Sequence, residues 1–212
     1  MPAEPLWIVP AIVALVDWGA VARDDRRTET WAKPLVMIAV IAVALTQGAT
    51  ETAAGRWLLA ALFFGLLGDV ALLGETIRRF QAGVYAFLVG HLAYLVCFTV
   101  LGLPRPAWAW AGLAVLLAAL VATRNVVPAT HRLGGAPVSV PVAVYSLVIG
   151  AMLVCAWLTG EVWVAVGASI FVASDTILSV DRFVRPLPHA RLALMITYQV
   201  GQALIVVGVL AA

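Results

Sequence analysis

Eight long, charge-poor apolar stretches recur along the 212 residues of this chain, and they decide what it can fold into. Each is close to the length of about 20 residues that a helix needs to cross the hydrocarbon of a bilayer. The composition is 64% hydrophobic and 11% charged, whereas soluble domains average about 45–50% apolar and about 25% charged. A soluble globular fold and a disordered chain are therefore excluded.

We predict an all-α, polytopic membrane helix bundle that forms a single integral membrane domain over residues 1–212. The apolar runs are continuous rather than alternating, which favours helices over a barrel. The connections between them are short and contain proline, glycine or charged residues. The eight transmembrane helices are predicted at about 6–22, 31–49, 56–74, 81–102, 107–124, 137–158, 162–180 and 189–211.

The basic residues predict the orientation of these helices. Lys and Arg total 13 against 11 Asp and Glu, so the chain has no basic excess that would bind nucleic acid. Eleven of the thirteen fall in alternate connections: Arg23, Arg26, Arg27, Lys33, Arg78, Arg79, Arg124, Arg132, Arg182, Arg185 and Arg191. Because basic loops stay in the cytoplasm, we expect a plasma (inner) membrane protein with both termini outside the cytoplasm.

Asp69, His91 and Asp175 lie well inside predicted spans, while Asp17 lies near the inner end of the first span. An ionisable residue inside a membrane is costly, so the first three are candidate functional residues. Asp69 and Asp175 lie near the cytoplasmic ends of their spans, and His91 lies near the middle of the membrane. Neutral polar side chains accompany them: Tyr94, Tyr145, Tyr198, Gln199 and Gln202. We therefore expect a polar cavity that opens to the cytoplasm.

The two aspartates have similar sequence contexts. Asp69 lies in the segment GDVAL, and Asp175 lies in the segment SDTIL. They are four predicted spans apart, so both spans run in the same direction. This similarity indicates a possible parallel four-plus-four repeat with the two acids facing each other.

Each of these residues also has a purely structural interpretation. Asp69 and Asp175 could tie helices together through Lys33, Arg124 or tyrosine hydroxyls. His91 could be a neutral, hydrogen-bonded histidine of the core, and the glutamines could join helices. These alternatives stay open at the level of the sequence.

Several short motifs follow one another in order along nearly the whole chain from residue 33 to its end. They are Lys33-Pro34-Leu35; Gly68-Asp69 with Leu72; Phe80-x-x-Gly83; Phe87-x-x-Gly90-His91-x-x-Tyr94; Pro141-Val142-x-x-Tyr145 with Met152; Gly167-x-x-x-Phe171-x-x-Ser174-Asp175-x-x-Leu178 with Arg182-Phe183; and Tyr198-Gln199-x-x-Gln202-x-Leu204-Ile205. In order and spacing they resemble the YhhN family of membrane proteins, which includes the lysoplasmalogenases. The first predicted helix carries no part of this resemblance.

The resemblance implies a hydrolase acting on an ether bond. The substrate would be a lysoplasmalogen, a lysolipid of the bilayer whose vinyl ether bond is cleaved. The products would be a fatty aldehyde and glycerophospho-ethanolamine or glycerophospho-choline.

The chemistry of a vinyl ether suits two carboxyl groups, because this bond resists base and yields to acid. Protonation of its β-carbon gives an oxocarbenium ion, water adds, and the hemiacetal collapses to aldehyde and alcohol. One aspartic acid would supply the proton while the other, ionised, faces the cation, as paired carboxylates do in glycosidases. His91 would orient the water or relay a proton. We therefore predict Asp69, Asp175 and His91 as catalytic residues, without assigning which acid is protonated.

The predicted substrate-binding residues are Lys33, Tyr94, Asn125, Tyr145, Arg182, Tyr198, Gln199 and Gln202. The tyrosines and glutamines would position the water or the glycerol oxygens, and the basic residues would meet the phosphate at the cytoplasmic mouth. Lys33 is the strongest phosphate candidate, because it begins a predicted helix beside the cavity. No metal or other cofactor is expected, and the sequence does not set the oligomeric state.

Two other classes of function remain open. A proton-coupled transporter or a lipid-binding membrane protein would use the same intramembrane acids. A metal-dependent hydrolase would use Asp69, His91 and Asp175 as ligands. A purely structural membrane protein is disfavoured by the cost of burying two aspartates.

Overall fold

The computed structural model describes residues 4–212, and those residues fold almost entirely into helices. Short 3₁₀ turns at Glu4–Trp7 and Pro106–Trp108 precede the first and fifth α-helices. The α-helices of the described residues are α1 (Ile8–Ala22), α2 (Arg26–Thr46), α3 (Ala53–Leu72), α4 (Ile77–Leu101), α5 (Ala109–Thr123), α6 (Val126–Gly134), α7 (Ala136–Leu158), α8 (Val162–Phe183) and α9 (Ala190–Ala211). The predicted all-α class is confirmed.

Seven helical segments within residues 4–212 are long and apolar enough to cross a membrane: α2, α3, α4, the segment Pro106–Thr123 formed by the second 3₁₀ turn and α5, α7, α8 and α9. The helix α1 is apolar but has only 15 residues, fewer than the about 20 that cross hydrocarbon. A helix therefore stands at each of the eight predicted stretches. The count of eight complete spans and the four-plus-four repeat stay predictions.

One helix was absent from the sequence prediction. The nine residues of α6 lie in what was predicted to be the connection between residues 124 and 137. Pro128 and Arg132 make this stretch look like a loop by composition, and its length is far below that of a span. It ends at Gly134 and is followed by Gly135, whose φ of +66° favours glycine.

The helix α2 begins five residues earlier than predicted, at Arg26 rather than at residue 31. Asp25 is the reason, because its side chain accepts a hydrogen bond from the backbone N–H of Thr28 at 3.2 Å and so caps the first turn. The Thr28 hydroxyl also donates to Asp25 at 2.6 Å. These bonds favour the carboxylate and lower the pKa of Asp25 below its usual value. The earlier start places Glu29 inside the helix.

The chain divides into two compact units. The first unit contains α1 to α4 and the final residues Val206–Ala212, and the second unit runs from Gly102 to Ile205. Each candidate site residue belongs to one of these units, so the contacts are described unit by unit below. The single domain over residues 1–212 stays a prediction.

Glycines allow the closest helix packing in both units. In the first, a Cβ on Gly90 of α4 would lie 3.2 Å from the carbonyl oxygen of Ala61 in α3. In the second, a Cβ on Gly167 of α8 would lie 2.8 Å from the carbonyl oxygen of Gly201 in α9. Small residues at such crossings let helix backbones approach each other inside a membrane.

We expect Gly167→Ala to destabilise the protein by about 1–3 kcal/mol, because the new methyl group meets backbone atoms that cannot rotate away. The matched control is Gly19→Ala in α1, where the nearest atom is the flexible end of Arg23 at 3.3 Å. That substitution is expected to be neutral or to stabilise by about 0.5–1 kcal/mol. Thermal unfolding in detergent measures both, and equal melting temperatures for the two variants would contradict the packing argument.

Candidate active site

A buried ion pair joins two neighbouring helices of the first unit. The Lys33 ammonium of α2 lies 3.3 Å from the Asp69 carboxylate of α3, and the two side chains are 5% and 1% exposed. Burying either charge alone would cost several kcal/mol, whereas a close opposite charge offsets part of this cost. The pair therefore ties α2 to α3 and fixes their register at this level.

A second buried carboxylate lies one turn before Lys33 on the same helix. Glu29 is four residues from Lys33, so the two side chains are neighbours on one face of α2. The Glu29 carboxylate is 9% exposed and lies 3.6 Å from the guanidinium of Arg26, which is 60% exposed. We call Glu29, Lys33 and Asp69 the charged row. Its signs alternate, and its exposure falls from Glu29 to Asp69.

His91 of α4 is buried, and its ring is fixed by its own helix. Nδ1 lies 2.7 Å from the carbonyl oxygen of Phe87. A carbonyl can only accept a hydrogen bond, so Nδ1 carries the hydrogen and, in the neutral ring, Nε2 is the basic nitrogen. A Cβ on Gly68, the residue before Asp69, would lie 2.6 Å from the Phe87 ring. Gly68 therefore lets α4 approach α3 beside Asp69.

Tyr94 lies one turn after His91 and is also buried. Its ring stacks on Phe98, with the ring centroids 5.7 Å apart and the planes 25° from parallel. The aromatic pair packs into the interior of the first unit. The role of Tyr94 in binding substrate stays a prediction.

In the second unit, Tyr145 of α7 contacts Asp175 of α8. The phenolic hydroxyl donates a hydrogen bond of 2.8 Å to Oδ2 of the carboxyl group. Both residues are partly buried. Tyr145 therefore holds one oxygen of Asp175 in a fixed direction.

Three further predicted residues lie on α9. Tyr198 is buried and meets the Phe171 ring edge to face, with centroids 5.4 Å apart. Gln199 and Gln202 are buried on the same helix. Their helix is drawn close to α8 by the approach of Gly167 to Gly201. The second unit therefore gathers polar side chains of α9 beside the helix that carries Asp175.

The two remaining predicted residues lie at helix ends and are exposed. Asn125 precedes α6 and makes no side-chain cap to it. Arg182 lies in the last turn of α8. Contact of either one with the substrate stays a prediction.

The partners of the two aspartates are among those that the structural interpretation names, Lys33 for Asp69 and a tyrosine hydroxyl for Asp175. Glu29 was not among the predicted residues, because the helix was expected to start after it. The signal that could have found it is Asp25, a capping residue three positions before Thr28. Asp, Asn, Ser or Thr at such a position starts a helix.

Within the described part of the chain, no three His, Cys, Asp or Glu side chains form a group that could hold a metal ion.

Comparison with known proteins gives the family. The sequence profile of the YhhN family matches residues 28–209, which include every candidate residue named above. The chain belongs to the YhhN family. This confirms the resemblance found in the motifs, and with the apolar helices it makes the chain a multi-pass membrane protein. No solved structure matches the chain significantly.

Curated relatives of this YhhN protein carry the name lysoplasmalogenase. It is 32% identical over 181 residues to lysoplasmalogenase TMEM86B of Mus musculus, covering 84% of this chain and 73% of the relative. It is 33% identical over 180 residues to a lysoplasmalogenase of Mycobacterium tuberculosis, covering 82% of this chain and 66% of the relative. Lysoplasmalogenase TMEM86A of Bos taurus is 30% identical over 154 residues, covering 68% of this chain and 61% of the relative. The chain thus spans about two thirds of the length of these relatives.

We expect Lys33→Met to destabilise the protein by about 3–5 kcal/mol, because it leaves the Asp69 carboxylate buried without its cation. Adding Asp69→Asn should restore most of that loss, since the double variant buries neither charge of the pair. Thermal unfolding in detergent compares the two. A double variant no more stable than Lys33→Met would show that the pair does not couple the two residues.

Proposed function

We propose that this chain is a membrane lysoplasmalogenase, which hydrolyses the vinyl ether bond of a lysoplasmalogen to a fatty aldehyde and a glycerophospho-ethanolamine or -choline. The observation that carries the proposal is the family, whose relatives named lysoplasmalogenase align over 82% and 84% of this chain. The buried charges support it, because a membrane protein that retains such costly groups uses them.

The two aspartates have different contacts, and these contacts favour a different role for each. Asp69 shares a buried pair with the Lys33 ammonium, so it is the charged carboxylate that faces the developing oxocarbenium ion. Asp175 accepts a hydrogen bond from the neutral Tyr145 hydroxyl and is the carboxylic acid that supplies the proton. A pair of carboxyl groups in different charge states is what acid catalysis at a glycosidic cation also requires.

The reaction then balances without another reactant. The acidic proton of Asp175 passes to the β-carbon of the vinyl ether, and the double-bond electrons form the new C–H bond. Water adds to the oxocarbenium carbon and returns a proton to the Asp175 carboxylate. The hemiacetal breaks its bond to the glycerol oxygen, which takes the hydroxyl proton and leaves the aldehyde.

The remaining polar residues bind and orient. His91 presents Nε2 to the attacking water, because Nδ1 is held by the Phe87 carbonyl. Tyr94, Tyr198, Gln199 and Gln202 position the water and the glycerol oxygens. Lys33 takes the phosphate with the N–H donors that do not face Asp69, since an ammonium has three. Arg182 and Asn125 supply outer contacts to the headgroup.

The membrane placement follows the positive-inside rule. The protein lies in the plasma (inner) membrane with both termini outside the cytoplasm, and the site opens to the cytoplasm. The basic helix ends, among them Arg26 and Arg182, lie on that side. The substrate reaches the site from the inner leaflet.

We expect Asp69→Asn and Asp175→Asn each to lower the turnover of lysoplasmalogen by at least about 100-fold, because general acid–base and charge-stabilising groups contribute about 10²–10⁴-fold. The control is Asp25→Asn, which also removes a carboxylate but keeps a good helix cap. Release of free aldehyde by the purified protein in detergent measures all three. Near-normal turnover by either of the first two variants would remove the paired-acid mechanism, and binding of lysoplasmalogen without aldehyde from the wild type would favour a carrier.

We expect hydrolysis to survive treatment with EDTA, because two carboxyl groups supply the proton and the charge. Aldehyde release is measured in the untreated protein, in the presence of EDTA, and again after the EDTA has been removed by dialysis. Loss of activity that zinc restores would instead make Asp69, His91 and Asp175 metal ligands. Magnesium added in the same way controls for a general effect of divalent ions.

A further inference from the structure

One hydroxyl group of α7 reaches across to the acid of α8. The Tyr145 hydroxyl donates a hydrogen bond of 2.8 Å to Oδ2 of Asp175. Serine hydroxyls on the same two helices donate instead to carbonyl oxygens of their own helix, and these are Ser146, Ser169, Ser174 and Ser179. Such a bond to the preceding turn needs no partner outside the helix. Tyr145 therefore has a target that these serines do not share.

A tie between helices is a weak reason for this pair. Hydrogen bonds between helices in a membrane can be made by Ser, Thr, Asn or Gln side chains. A carboxyl group is a much more costly acceptor at this depth, because it can ionise and an ionised group is expensive inside a membrane. The carboxyl group of Asp175 is therefore explained by its chemistry, and the hydroxyl that touches it belongs to the same chemistry.

The direction of the bond decides which oxygen of Asp175 carries the acidic proton. A protonated carboxyl group has one carbonyl oxygen, which accepts hydrogen bonds, and one hydroxyl oxygen, which donates. Tyr145 donates to Oδ2, so Oδ2 is the carbonyl oxygen and Oδ1 carries the proton. Because Oδ2 is held by α7, the carboxyl group keeps one orientation and its proton points in one direction.

The same bond gains strength when the proton leaves. A carboxylate carries negative charge on both oxygens, and a hydrogen bond to an ionised acceptor is roughly twice as strong as one to a neutral acceptor. An interaction that is stronger in the transition state than in the ground state raises the rate of the chemical step. Hydrogen-bond donors that face a developing oxyanion act in this way.

We propose that Tyr145 is a positioning residue for the proton transfer, which directs the acidic proton of Asp175 and stabilises the carboxylate that remains. This rests on the proposed function for the identity of the proton acceptor, the β-carbon of the vinyl ether. The O–H bond at Oδ1 breaks as the C–H bond forms, and the proton that the attacking water later releases restores the acid. Tyr145 keeps its own proton throughout and does not bind the lipid.

The first test is Tyr145→Phe, which removes the hydroxyl and keeps the ring. Loss of a donor to a developing oxyanion lowers kcat by about 10²–10³-fold, and this bond also exists in the ground state, so we expect a loss of at least about tenfold in kcat. KM for lysoplasmalogen should be unchanged. The Kd for a saturated 1-alkyl lysolipid, which has no vinyl ether to hydrolyse, should also be unchanged.

The matched control is Tyr85→Phe in α4, which loses the same atom from a tyrosine that is 55% exposed. It should keep the kcat of the wild type. An unchanged kcat in Tyr145→Phe, with or without a lower melting temperature in detergent, would reduce Tyr145 to a tie between helices and overturn the proposal. A loss that lies in KM and Kd while kcat stays the same would make Tyr145 a substrate-binding residue and overturn it as well.

An infrared measurement separates this inference from the proposed function, because it needs no turnover. The difference between the spectra of the wild type and Asp175→Asn isolates the C=O stretch of the protonated carboxyl group. A hydrogen bond to the carbonyl oxygen weakens the double bond, so the band should move to higher frequency in Tyr145→Phe. An unchanged band, or no such band in the wild type, would overturn the proposal even if aldehyde is released. A band that moves while the wild type releases no aldehyde supports the contact of Tyr145 with the acid and counts against the proposed function alone.

Discussion

The buried pair between Lys33 and Asp69 is the interaction on which the first unit depends. The hydrocarbon of a bilayer and the interior of a helix bundle both lack the water that stabilises charge, so each charge inside them needs a partner of opposite sign. Here the two partners come from adjacent helices at 3.3 Å, and their contact orders α2 against α3. In the proposed mechanism Asp69 also faces the developing cation, so the structural interpretation of Asp69 does not compete with the proposed functional one.

The second unit handles its acid in a different way. Asp175 accepts a hydrogen bond from the neutral hydroxyl of Tyr145. Asp69 instead lies beside the charged ammonium of Lys33. A phenol orients a carboxyl group without demanding that it be ionised. Two aspartates with similar neighbours in the sequence thus stand in different surroundings, which is the condition for giving an acid and a carboxylate different tasks.

The helical architecture could be predicted from the sequence because the thickness of a bilayer sets the length of a spanning helix. That length can be counted directly as a run of apolar residues. It did not predict α6, since Pro128 and Arg132 look like loop residues and the helix is short. It did not predict the burial of Glu29, because the second helix was expected at residue 31 and the Asp25 cap starts it at Arg26. Lys33 and tyrosine hydroxyls were among the predicted partners of the aspartates. Which of these candidates is the actual partner depends on which helix faces pack together, and this cannot be predicted from the sequence pattern alone.

Both carboxyl contacts join helices that are consecutive in the chain, α2 with α3 and α7 with α8. This matters during biogenesis, when helices leave the ribosome one after another. A lone Lys or Asp at the centre of a helix costs about 2.5–3.5 kcal/mol on insertion. Because Lys33 and Asp69 belong to one helical hairpin, they can neutralise each other as soon as that hairpin is complete, before the later helices have been synthesised. The local pairing lets a chain with charged intramembrane groups enter the bilayer hairpin by hairpin.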